Sequence, residues 1–298
     1  MALDVDTARR LFFEGNLVRL IERAGSTQAE RLALEPFTRA LVAEALAEAG
    51  DLDEAIHFAD TKTHTALPAS VRAQMEWIRG LVSWRQGAVS AAINYARSAL
   101  RVALESGDSH QIVWSHLHIF RVLILTEPLD AIRITLSDVR RVVNGAGFVQ
   151  ATAYLHNTVA LLEGQRGHLD EARRHLDIAE SLLRLAPNSL LLGRIYVNRG
   201  NIAATQCDLE RSIEYCRAAT DIAAKSTQQT RIGADTTLGY VEFQAGHFDS
   251  AKQTLADVLN SPKASAFSQL IATDTLARVY LALGSLHECD EALKLIER

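Results

Sequence analysis

The sequence predicts an all-α, right-handed superhelical solenoid of about eight helical hairpins. Three observations carry the prediction: a turn segment that recurs, small residues at fixed distances from it, and apolar residues three and four apart between the turns. The turn segment reads Gly50-Asp51-Leu52-Asp53-Glu54-Ala55, then Gly167-His168-Leu169-Asp170-Glu171-Ala172 and Gly246-His247-Phe248-Asp249-Ser250-Ala251. With its first residue as a ruler, weaker copies begin at Gly15, Gly87, Thr126, Cys207 and Gly284, and subtraction gives spacings of 35, 37, 39, 41, 40, 39 and 38.

Five residues after the marker stand Leu20, Ala55, Ala92, Ala131, Ala172, Ser212, Ala251 and Cys289, and seven before it stand Ala8, Ala43, Gly80, Ile119, Ala160, Gly200, Gly239 and Ala277. Both columns are small in seven of eight units, which two antiparallel helices need where their backbones approach to about 8–10 Å. Glycine at most markers supplies the left-handed residue that ends one helix, and the Asp or His beside it offers a cap for the next.

Taken in order, the first unit spans 1–35, with an inner helix near 4–14 that stops at Gly15. The second, 36–68, runs through an inner helix near 36–49 to Gly50 and closes at Pro68. The third, 69–107, places its inner helix near 69–86, before Gly87. In the fourth, 108–147, a helix near 109–125 meets Thr126-Glu127-Pro128 in place of a glycine turn, so a local change of superhelical pitch is expected there. The fifth, 148–187, with an inner helix near 148–166, shows the period in Leu155, Val159 and Leu162, then in Leu169, Ala172, Leu176, Ala179, Leu182 and Leu183. Pro187 closes it.

The sixth unit, 188–226, with an inner helix near 189–206, turns at Cys207; the seventh, 227–263, with one near 229–245, ends beside Pro262. The eighth, 264–298, with one near 265–283, finishes at Leu293, Ile296 and Glu297-Arg298 without a polar capping helix. That ending reads as a domain cut from a longer protein, or one that dimerises through its terminal repeat. One domain of sixteen helices over 1–298 is the expectation.

The small-residue columns and the Gly-Asp-Leu-Asp-Glu-Ala turn resemble the tetratricopeptide repeat (TPR) family across all eight units. Family repeats usually run to 34 residues, and the longer spacing here is similar to the TPR superhelix of MalT-type bacterial transcription activators, where such a domain receives an inducer. Similar arrays serve as sensor domains in other activators and in peptide pheromone receptors.

Composition agrees with a globular chain: 298 residues, 48% hydrophobic and 22% charged. The formal charge of −5, from 36 acidic and 31 basic side chains, disfavours direct contact with nucleic acid. Three cysteines without C-x-x-C spacing disfavour a disulfide framework, and no long apolar run suggests a membrane span, so a cytoplasmic protein is expected, and the resemblance implies a bacterial one. Nucleotide-binding, α/β-hydrolase and metalloprotease motifs are absent, so neither an enzyme nor a cofactor is expected. His168, Glu171 and His175 share a helical face, where a solvated surface explains them without a metal.

The resemblance implies that the first helix of each hairpin lines a concave groove, with its open face 13, 10, 6 and 3 residues before each turn. Those offsets select Trp77 and Trp84, then His116 and Phe120, as an aromatic patch suited to an apolar side chain or sugar ring. The same four residues would equally serve as filling between stacked units. The offsets also select Tyr154, Asn157, Arg194, Asn201, Tyr240 and Arg278. With Asn198 alongside, Asn157, Arg194 and Asn201 form a polar cluster whose amides can pair with an extended peptide backbone. The alternative is a plain solvated helix face. The resulting expectation is a binding or sensor domain of a transcription regulator, taking a peptide, protein or small effector in its groove. A free-standing adaptor joining two proteins is the second expectation.

Overall fold

The computed structural model describes residues 3–59, 67–224 and 226–296, and among them seventeen helices and no strand. The end of the second unit at 60–66 and the terminal pair Glu297-Arg298 therefore lie outside the described residues. The helices pair as α1 (Val5–Phe13) with α2 (Leu17–Arg23), α4 (Pro36–Ala49) with α5 (Leu52–Ala59), α6 (Ala69–Arg85) with α7 (Val89–Ser106) and α8 (Ser109–Leu123) with α9 (Leu129–Ala146). Then come α10 (Val149–Gln165) with α11 (Leu169–Leu183), α12 (Ser189–Thr205) with α13 (Leu209–Ala223), α14 (Gln228–Gln244) with α15 (Phe248–Leu259) and α16 (Ala266–Ala282) with α17 (Leu286–Ile296). The helix beyond the expected sixteen is the short α3 (Gln28–Leu32), which a capping box creates: Thr27 Oγ1 accepts from Glu30 N, and the Glu30 carboxylate accepts from Thr27 N.

Burial distinguishes the two members of each pair. In α11, Ala172, Leu176, Ala179 and Leu183 are buried, a single stripe along the helix, as suits a helix that leans on one side only. In α4, every residue from Ala40 to Ala49 is buried, because an inner helix touches its own partner and both neighbouring units. Small residues permit that crowding. A Cβ built on Gly239 of α14 would stand 2.6 Å from Leu255 Cγ of α15, so a methyl group at this crossing would force the two helices apart.

The turns take the left-handed conformation expected of the markers, at every marker glycine and also at Cys207, where φ is 58°. Cys207 is the one non-glycine residue with positive φ among those described. Asp208 caps the following helix by accepting from Arg211 N at 3.3 Å. His168 and His247 make no such bond, and His168 instead faces Glu163 at 2.7 Å.

The fourth hairpin departs from the pattern as its sequence suggested. Residues 124–128 separate α8 from α9, whereas 166–168 suffice between α10 and α11. Ala131, expected at the close crossing, is exposed, and Ile132 is buried in its stead. The extra turn residues slide this unit's register by one position.

The array also closes on itself. Phe13 O accepts from Gln150 Nε2 at 2.8 Å and from Asn188 Nδ2 at 2.9 Å, while Ser189 N donates to Glu14 O at 2.8 Å. Glu48 meets Arg194 at 2.6 Å and Asp51 meets Lys263 at 2.8 Å. The first two hairpins thus touch the fifth, sixth and seventh, and the concave surface becomes an enclosed groove. At the other end, Leu281, Leu283, Leu286 and Leu293 are exposed on α16 and α17. No helix of the described residues is long and apolar enough to cross a membrane.

Candidate binding groove

The groove is a cavity of about 520 Å³ lined mainly by inner helices from α6 to α16. Its closed end is made by Glu48, near the C-terminus of α4, with three guanidinium groups around it. Arg85 Nη2 lies 2.8 Å and Arg194 Nη2 2.6 Å from Glu48 Oε2, and Arg121 Nη1 donates to Tyr154 Oη at 3.3 Å. Burial alone would raise the Glu48 carboxyl, but Arg194, Arg85 and Arg121 hold it well below the usual carboxylate range. Burial pulls Arg85 down to about 10 against the opposing pull of Glu48, which still leaves it protonated at neutral pH. Three cations therefore face one anion. The Nε of Arg85 is buried with no hydrogen-bond partner among the described residues.

Along the groove from this basic end runs a line of amides. Asn198 Nδ2 donates to Asn157 Oδ1 at 2.9 Å, and Thr237 Oγ1 donates to Asn201 Oδ1 at 2.8 Å. Those bonds fix the rotamers and leave the Nδ2 groups of Asn157 and Asn201 for other acceptors. Trp84, Leu161, Val197, Tyr240 and Phe267 give the wall apolar surface.

A smaller chamber of about 80 Å³ adjoins the groove, sharing Glu48, Tyr154, Leu190 and Arg194 as walls. Trp77 stacks on His118 with ring centroids 3.6 Å apart, and Trp114 meets Tyr154 edge-on at 5.4 Å. Trp114 Nε1 donates to His110 Nε2 at 2.9 Å. Burial keeps both His110 and His118 below their ordinary value, so the aromatic walls are neutral. Glu44 lies in this chamber, accepting from Gln74 Nε2 at 2.9 Å and Trp77 Nε1 at 3.1 Å. Burial raises its carboxyl to about 7, with Glu48 adding to the effect of burial and the bonds from Gln74 and Trp77 opposing it.

Of the residues named from sequence, Trp84, Tyr154, Asn157, Arg194, Asn198, Asn201 and Tyr240 line the groove. Trp77 lies in the chamber. The proposed aromatic patch does not assemble: Phe120 is fully buried in the core around α8, and His116 is turned toward Asp138 and Arg141 of α9. The one-residue register slip explains both, since it brings Trp114 and Arg121 to the concave side instead. Arg278 is exposed on α16 and pairs with Asp274 at 2.9 Å, outside both cavities. Sequence reasoning missed Glu44, Glu48, Arg85 and Arg121. The proline turn was a signal for Arg121, and Glu44 stands six residues before Gly50, at an offset the groove rule already uses. Glu48 and Arg85 each stand two residues before their turn, one position beyond the offsets used, and only the pairing of Glu48 with Arg194 depends on closure of the array.

His156 and His175 meet with Nδ1 atoms 2.7 Å apart, and Glu171 is 3.8 Å from His175. No three such side chains converge on a metal-sized site among the described residues.

Stacked hairpins of this geometry define a tetratricopeptide-type helical-repeat protein. The tetratricopeptide repeat family pattern matches residues 193–226, the inner helix, turn and outer helix of the sixth hairpin. The chain matches no curated protein sequence. Among solved structures, it is similar to a Rap protein complexed with competence and sporulation factor, at 15% identity and TM-score 0.70, covering 98% of this chain and 85% of that one. NprR in complex with its cognate peptide NprX is similar at 13% identity and TM-score 0.63, covering 97% and 86%. A signal transduction ATPase with numerous domains and a tetratricopeptide repeat sensor, from Pyrococcus horikoshii, is similar at 11% identity and TM-score 0.53, covering 98% of this chain and 46% of that one. At such identities the likeness establishes the fold.

Proposed function

We propose that the groove binds an extended peptide or peptide-like effector carrying a carboxylate, and that the chain is the sensor unit of a bacterial transcription regulator. The observation that carries this reading is the surplus of guanidinium groups, Arg85, Arg121 and Arg194 around the single carboxylate of Glu48, at the head of the Asn157, Asn198 and Asn201 line. Amides pair with peptide N–H and C=O groups, and guanidinium groups pair with carboxylates. Two structural neighbours are themselves complexes, one with competence and sporulation factor and one with a cognate peptide, which supports the reading. Closure of the array favours a slender ligand over a folded partner, and so over an adaptor role.

An incoming carboxylate would compete with Glu48 for Arg194, the ion pair that ties the second hairpin to the sixth. Binding would thereby alter how the array closes, a change that attached domains can sense. The test is thermal-shift titration with mixed pentapeptides bearing free or amidated C-termini. The free-carboxylate set should stabilise the chain, by about 2.7 kcal/mol at a hundred times the dissociation constant. Arg121→Met with Asn198→Ala should abolish the shift while helicity is retained. Equal shifts with amidated peptides would remove the carboxylate from the proposal, and no shift with any peptide would remove the peptide.

A further inference from the structure

The chamber beside the groove holds two buried acceptors that lack a positive partner. Among the described residues no cation forms a close ion pair with Glu44, on which Arg194 of the chamber wall acts only at longer range, whereas its neighbour Glu48 takes both Arg85 and Arg194. Gln74, 5% exposed, uses its Nε2 on Glu44, and its Oε1 is buried with no hydrogen-bond partner among the described residues. Both side chains line the cavity, whose other walls include Phe13, Phe37, Trp77 and Trp114. A buried acceptor without a donor and a buried carboxylate without a close ion pair each weigh against folding.

A ligand bearing N–H groups and a positive charge would satisfy both acceptors together, and neutral aromatic faces attract such a charge. We propose that this chamber is a binding site for a primary ammonium group on a short alkyl chain. The ammonium donates to Gln74 Oε1 and to the Glu44 carboxylate, while the alkyl chain lies against the Trp77 and Trp114 rings. Anions are disfavoured by Glu44, and a neutral ligand leaves its charge uncompensated.

Size limits the ligand as well. A water needs roughly 10–15 Å³ of such space, so a cavity of about 80 Å³ admits about five to eight small atoms' worth of ligand. Butylammonium, with the same heavy atoms as a lysine side chain beyond Cα, falls in that range. The carboxylate end of the site is opposite in charge to the basic end of the groove, with which the chamber shares Glu48, Tyr154, Leu190 and Arg194 as walls.

Intrinsic fluorescence tests the proposal, because two of the three tryptophans, Trp77 and Trp114, line the chamber. The full chain is titrated with butylammonium chloride, with n-butanol as its uncharged analogue and with the blocked tripeptide acetyl-Ala-Lys-Ala-amide. Butylammonium should give a saturable change at least tenfold tighter than butanol. A response to the tripeptide as well assigns the ammonium to a lysine side chain, and a response to butylammonium alone assigns it to a free amine; both support the site. Glu44→Gln should erase the preference for the charged ligand, with circular dichroism confirming the fold. Gln74→Leu, which keeps the Trp77 bond to Glu44, should weaken butylammonium about tenfold and serves if Glu44→Gln does not fold. Equal binding of butanol and butylammonium, no response to either amine, or an undiminished preference in both variants overturns the proposal.

Discussion

Replacing Glu44 by Gln should stabilise the protein at pH 8 and hardly change it at pH 5. The carboxyl is raised from the ordinary 4.5 to about 7, chiefly by burial. The folded chain therefore holds a proton that the unfolded chain releases. Stability from this group is fully present below pH 4.5 and is lost as pH climbs through about 7. At about 1.36 kcal/mol per tenfold change in proton affinity, the full loss is about 3 kcal/mol, of which about 2.5 kcal/mol falls between pH 5 and pH 8. Unfolding entropy near 2.1 cal/mol/K per residue, over 298 residues, converts that to about 4 °C. Glutamine keeps the bond from Trp77 Nε1 on its carbonyl, and once the Gln74 amide turns over, the bond between the two side chains runs the other way, from the new amide to Gln74 Oε1. The assay is the melting temperature of both proteins, without added amine, from pH 5 to pH 8. Comparing variant with wild type at each pH cancels the titration of the histidines. A difference that is constant across the range, or a wild type that gains on the variant as pH rises, would refute the reasoning.

Three further changes probe the frame of the site. Cys207→Gly should stabilise by roughly 0.5–1 kcal/mol in urea melts, because a left-handed residue with a Cβ carries strain that glycine lacks; a loss of stability would contradict that. Gly239→Ala should cost about 1–3 kcal/mol in the same assay, since its methyl group meets Leu255; a neutral result would show that α14 and α15 can separate freely. Glu48→Gln at pH 7 should cost about 3 kcal/mol by leaving the three arginines without their anion, and should speed amide exchange at Ser189 across the closing contact. Unchanged exchange at Ser189 would show that this ion pair does not hold the array shut.

The sequence discloses the hairpins because each obeys local steric rules. A small residue at Gly239 or Ala172 and a left-handed turn at Gly167 are demands made within some forty residues of chain. Asn157, Asn198 and Asn201 could be placed on the concave side for the same reason. His116 and Phe120 were misplaced where the rule fails, at the one turn built with proline. The pairing of Glu48 with Arg194 was invisible for another reason. A carboxylate at the end of α4 meets an arginine 146 positions away only once a full circuit of hairpins has been completed, and no periodicity announces such a meeting.

A coil that folds back onto its own beginning must have a seam, and here polar bonds cross it. Neighbouring hairpins are welded by aliphatic packing between segments adjacent in sequence, whereas the seam adds to the apolar contact of Leu190 a set of hydrogen bonds and an ion pair spanning 137, 175 and 212 positions. Such distant stitches wait until the loops between them are ordered, so they form last in folding. Among them, the half-exposed ion pair between Lys263 and Asp51 is the one that salt screens while the aliphatic welds hold. Loss of these stitches would part the coil along one line and leave the stack of hairpins intact.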